Sequence, residues 1–203
     1  MGTLIAPGPG ISRTVKRMEN QTAYPTETTG GAELDPRSFD DAPAVDDAAR
    51  AVPRIAAQVW EQKSRIIANW ALRVANLPAF RAMPDLRLED VQRHIPEVLD
   101  GALTAIATSD PTLDPEPLSR AADLASAHGR ARLSDDFSVG DVLAEFHALR
   151  REVGSALWRV VDGDGGSTAI LQEIDTRLNT TFDAIAVAAA EAWAGARNAT
   201  GSN

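Results

Sequence analysis

Between Val139 and Val160 the apolar residues Val139, Val142, Leu143, Phe146, Leu149, Val153, Leu157 and Val160 recur at three- and four-residue steps. Only a helix puts such positions on one face, because a strand would bring every second residue to the same side. The same spacing returns along the chain. Ile55, Val59, Ile66, Trp70, Val74 and Leu77 predict a first helix over about 46–77, capped by Asp46 or Asp47 and stopped at Pro78. Pro53 must then sit within its first turns or kink it. Val91, Ile95, Val98, Leu99, Leu103 and Ile106 predict a second over about 88–108, kinked or broken near Pro96. A third is expected from an Asp114 cap, with Pro115 at its first position, to about His128; Gly129 and Ser134-Asp-Asp136 mark its end or a bend. Ser138, with Asp141 three residues on, caps the fourth, which runs to about Val161. Asp162-Gly-Asp-Gly-Gly-Ser167 is a turn, and Leu171 to Trp193 carry the apolar face of a fifth helix over about 168–196.

No segment alternates as a half-buried strand does. The chain therefore reads as all-α, a single bundle of about five helices. The helical domain is expected over 46–197. Residues 1–45, rich in Pro, Gly, Thr and Asp, are expected to be a disordered tail, and 198–203 a frayed end.

Composition removes several kinds of function. The net charge of -9 repels phosphate backbones, so nucleic acid is not an expected partner. With no cysteine there is no disulfide, zinc–thiolate or iron–sulfur chemistry. No apolar run approaches the ~20 residues of a membrane span, and the first residues lack a basic start and an apolar stretch, so a cytoplasmic protein is expected. Asp162 and Asp164 brush the calcium-loop pattern, but Ser167 stands where that loop needs Gly. His94, His128 and His147 lack acidic neighbours at metal-ligand spacing, so no metal is expected. No nucleophile–base pair or phosphate loop is present, so no catalytic residue and no enzymatic activity are expected.

Among polar residues, His128 reads as a capping or interhelical hydrogen-bonded histidine, with haem or ligand binding as the lesser alternative. Glu145 is too far from Arg150 for an ideal pair within the helix, so an interhelical bridge to Arg130 or Arg132 is expected. Trp60, Ile67 and Val187 lie off the apolar stripes of their helices and mark an expected dimer face.

The order His128-x-x-x-Arg132, Phe137-Ser138-Val139, Glu145-Phe146-x-x-Leu149-Arg150-Arg151 resembles the signature of the RsbRD-type N-terminal domain. His94-Ile-Pro96-Glu-Val98-Leu99 and Leu171 through Ile185 resemble that family's second and closing helices, and Trp60 and Trp70 suit its opening helix. The resemblance spans about residues 50–195. It implies an all-α sensory module of bacterial stress or two-component-type signalling, with a non-haem globin-like arrangement left open and without a cofactor, that dimerises and contacts a signalling kinase or regulator. It also implies that His128, Arg132, Glu145, Arg150 and Arg151 form a signature, a signal site or an interface. The 203 residues leave no room for an output domain, so the module is expected to act by binding alone. The alternative is a globin-like protein that binds a tetrapyrrole or another small ligand.

Overall fold

The computed structural model describes residues 42–83, 87–108 and 115–200. The expected tail lies outside them up to residue 41, as do the Asp114 cap and Pro84. Eight helical segments are formed: α1 (Ala42–Trp60), α2 (Lys63–Val74), α3 (Pro78–Arg81), α4 (Leu88–Gln92), α5 (Ile95–Ala107), α6 (Glu116–Ser134), α7 (Val139–Gly163) and α8 (Thr168–Thr200). Among the described residues there is no strand, and the all-α bundle is the fold.

Eight segments replace the expected five because two of the predicted helices divide and a short helix, α3, forms in the connector after Leu77. The first breaks at Glu61 and Gln62, where no proline or glycine stands. The amides of the turn bond back to Ala57 O and Val59 O, so the break leaves them satisfied. It begins earlier than expected, at Ala42, so Asp47 is no cap; it pairs with Arg50 on the helix surface. Pro53 is correspondingly interior and leaves the Ala49 carbonyl without its helical donor. Pro78 stops α2 only to open α3, since a proline at the first helical position gives up an amide that had no partner. The break expected near Pro96 is present, between α4 and α5, with Pro96 in the first turn of α5.

α8 packs along α6 and α7; α5 packs against α6 and α1, and α2 against α7. The core between them is built from Val52, Ile55, Ile66, Trp70, Leu99, Leu103, Phe146, Leu149, Leu157, Ile174 and Ile185, all buried. α7 opens on a complete capping box: Ser138 Oγ accepts from Asp141 N at 3.2 Å, and Asp141 Oδ2 accepts from Ser138 N at 3.0 Å. α8 runs to Thr200, so residues 198–200 are helical, where a frayed end was expected.

The third predicted helix differs most. α6 does not stop at His128 but passes through Gly129 to Ser134. It ends in a Schellman turn: Phe137 N donates to Arg132 O at 3.0 Å and Asp136 N to Leu133 O at 3.1 Å, with Asp136 at φ 62°. Gly129 is there for contact, not to bend or end the helix. A Cβ on it would lie 2.3 Å from Ala189 O of α8. Gly129→Ala is therefore expected to cost about 1–3 kcal/mol in urea unfolding, although alanine is the better helix former by about 1 kcal/mol. Gly163→Ala, with open space around it, serves as the control. Equal stability for the two variants would mean that α6 and α8 are further apart.

A buried charge cluster as candidate functional site

His128 and Arg132 are one turn apart on α6 and share a face. That face meets Glu145 of α7. All three are buried, at 1 %, 1 % and 0 % exposure. Arg132 Nε donates to Glu145 Oε1 at 2.9 Å and Nη2 to Oε2 at 2.9 Å, a two-pronged pair. His128 Nε2 lies 3.1 Å from Glu145 Oε2. Because that carboxylate is paired with a guanidinium, it accepts, and the histidine carries its proton on Nε2.

Arg132 does more than hold Glu145. Its Nη2 donates to Val91 O at 2.8 Å and its Nη1 to Asp90 O at 3.2 Å, which satisfies carbonyls in the last turn of α4. Nη1 also reaches Asp135 Oδ2 at 3.4 Å. Each nitrogen of the guanidinium is thus engaged. Its carbon stands 5.4 Å from the Phe80 ring centroid and 5.1 Å from that of Phe137, and those two rings are 4.5 Å apart. One side chain therefore ties α3, α4, α6, α7 and the α6–α7 turn. On the far side of Glu145, Trp70 Nε1 of α2 donates to its backbone oxygen at 3.0 Å.

His94, at the N-cap of α5, closes the cluster from above. Its ring meets that of His128 edge-on, with centroids 6.3 Å apart, and His128 in turn meets Phe146 edge-on at 5.5 Å. Burial and the neighbouring His128 hold the His94 pKa below its ordinary 6.5; Arg93 and Arg132 push the same way, and Glu97 opposes them.

The structure brings the expected site residues His128, Arg132 and Glu145 together, and Arg132, not the exposed Arg130, takes the bridge. The capping reading of His128 fails, because the helix continues past it. Arg150 does not join the cluster. It faces α8, with Nη1 3.1 Å from Asp183 Oδ1 and Nη2 bonded to Asn179 Oδ1. Arg151 is exposed. Trp60 and Val187 are exposed at 40 % and 55 %, while Ile67 is half-buried against the core. Exposed Leu72 and Trp158 went unnoticed in the sequence, although each lies off its helix's stripe as Trp60 does.

Three surface grooves open among the described residues. One of about 310 Å³ runs between α1, α5 and α6, lined by Trp60, Glu97, Asp100, Thr104, Arg120 and Leu124 among others. Asp100 there binds Lys63 Nζ at 2.5 Å. The other two, about 620 and 350 Å³, flank Trp158 and Leu171. His128 lines none of the three. Among the described residues, no group of three or more His, Asp or Glu could hold a metal ion, and no helix is long and apolar enough to cross a membrane.

The family model of the RsbT co-antagonist protein RsbRD N-terminal domain matches residues 64–203. The chain belongs to that family. The RsbRD N-terminal domain is a stress-signalling regulatory domain, of a family that works in partner-switching signalling and so with protein partners. The match starts within α2, so α1 and Trp60 precede it, while His94 and the whole His128–Arg132–Glu145 cluster fall inside it. No curated protein and no solved structure matches the chain.

Proposed function

We propose that this RsbRD N-terminal domain is a non-enzymatic regulatory module of cytoplasmic stress or two-component-type signalling. It acts by protein–protein contact, as a homodimer that engages a signalling kinase or regulator. The observation that carries this reading is the division of its side chains. The buried His128, Arg132 and Glu145 are spent on one another, while large apolar groups stand in solvent: Trp60 at 40 % exposure and Val187 at 55 %. Exposed apolar surface of this kind favours association, and symmetric pairing buries the same patch on both copies. The family's place in partner-switching signalling supports a second, unlike partner.

Light scattering over a concentration series is expected to give a dimer. Trp60→Glu combined with Val187→Glu is expected to give a folded monomer, with wild-type helix content by circular dichroism. Ile67 is left out of this test because it packs on the core. A wild-type monomer at every accessible concentration would remove the homodimer.

A further inference from the structure

Trp158 of α7 is the most exposed of the four tryptophans. It stands as a ridge between two open grooves, of about 620 and 350 Å³, and Leu171 of α8 lines both with it. Only four residues join α7 to α8, so the two helices run antiparallel. Asp162 lies one turn beyond Trp158 on α7, toward that connection, and lines the smaller groove. Asp175 lies one turn beyond Leu171 on α8, away from the connection, and lines the larger groove. The two carboxylates therefore bracket the Trp158–Leu171 pair, one at each end, about 6 Å along the helices from it. The other carboxylates of this corner are already taken: Asp164 by Arg54 at 2.7 Å and Glu173 by Arg177 at 2.6 Å. Among the described residues Asp162 and Asp175 are not paired with a cation; Asp175 Oδ2 accepts from the Asn179 amide at 3.0 Å. Arg159 lines the smaller groove but leans back along its own helix, away from Asp162, its Nε donating to Ser155 O at 3.1 Å.

From this pattern we infer that the Trp158 ridge docks a helix of the unlike protein partner. Two neighbouring apolar side chains of that helix straddle the indole, one in each groove, and a cation at each end meets Asp162 and Asp175. The matching sequence has apolar residues at i+3 and i+4 between cations at i and i+7, since positions seven apart on a helix share a face and lie about 10 Å from one another. The inference rests on the binding role proposed above, and gives the unlike partner a surface lined by neither Trp60 nor Val187. Amphipathic helices bind by laying such apolar residues into a groove. An indole exposed in the free chain and walled by grooves is the kind of anchor on which interface energy concentrates. The carboxylates select a cationic occupant over an acidic one, and a second copy of this chain, at a net charge of -9, is acidic.

The test uses the full chain and two short dye-labelled helical peptides on an alanine background. Both carry Leu at i+3 and i+4; one has Lys at i and i+7, the other Glu. In fluorescence anisotropy the Lys peptide is expected to bind about tenfold or more tightly than the Glu peptide. Trp158→Ala is expected to weaken the Lys peptide by about tenfold or more, with helix content unchanged by circular dichroism. Asp162→Asn combined with Asp175→Asn is expected to remove most of the preference for Lys, and Trp60→Glu to leave it in place. The inference is overturned if the two peptides bind alike or neither binds, if Trp158→Ala binds as the wild type does, or if the preference survives the double Asn variant. It is equally overturned if Trp158→Ala dissolves the homodimer in light scattering, which would put a second copy on the ridge. A chain that is monomeric throughout and still binds the Lys peptide keeps this inference and removes only the homodimer, so the two failures are read apart.

Discussion

Glu145→Ala is expected to destabilise the domain by about 3–5 kcal/mol, the range for breaking a buried ion pair by removing one partner. The cause is what remains. Arg132 would keep a full charge at 1 % exposure, with carbonyl oxygens and the more distant Asp135 as its remaining acceptors, and His128 would lose its acceptor. Folded domains are stable by only about 5–15 kcal/mol, so this one change removes a large part of the whole. The reverse expectation sharpens it. Arg132→Met together with Glu145→Leu removes both charges and is expected to recover much of the loss, since apolar replacements of a buried pair are often neutral. Urea unfolding of the two singles and the double gives the coupling. A single-variant cost under about 1 kcal/mol would mean that water reaches the pair, at variance with its burial.

The second large effect lies one residue on. Phe146 is 1 % exposed and closes the apolar side of His128. Phe146→Ala is expected to cost about 3–5 kcal/mol, from lost burial and the cavity left behind. Trp158 is larger and on the same helix, but it is 51 % exposed; Trp158→Ala is expected to stay within about 0.5 kcal/mol, as surface changes do. Thermal or urea unfolding of both variants tests the orientation of α7. Equal costs would mean that the helix is turned from the position described.

Much of this architecture was legible in periodicity, because a helix that buries one face must repeat apolar residues at its own pitch. α5, α7 and α8 appear almost where the stripes put them, and the Ser138–Asp141 box is a local rule that needs no partner. The Glu145–Arg132 bridge could be anticipated because a carboxylate without a good partner on its own helix must look elsewhere. What could not be read was set by contacts far along the chain. Gly129 looks like a stop until α8 is placed against it, and then its missing side chain is what lets the two helices touch. His128 looked like a cap for the same reason. Arg132 reaches carbonyls some forty residues upstream, and Phe80 joins the cluster from a four-residue helix too short for any period to reveal. The break at Glu61 and Gln62 has no local breaker at all.

The contact between Gly129 and Ala189 has a mechanical consequence. Backbone abuts backbone there, so no rotamer can take up slack between the two helices. Its neighbour in the chain is His128, inside the charge cluster, and Ser126 Oγ grips Ala188 O one turn away at 3.2 Å. α8 is a rod of 33 residues, about 50 Å at the helical rise. A shift of α6 at the cluster therefore has no cushion to be lost in. The load passes straight to the α8 backbone, as between two meshed teeth.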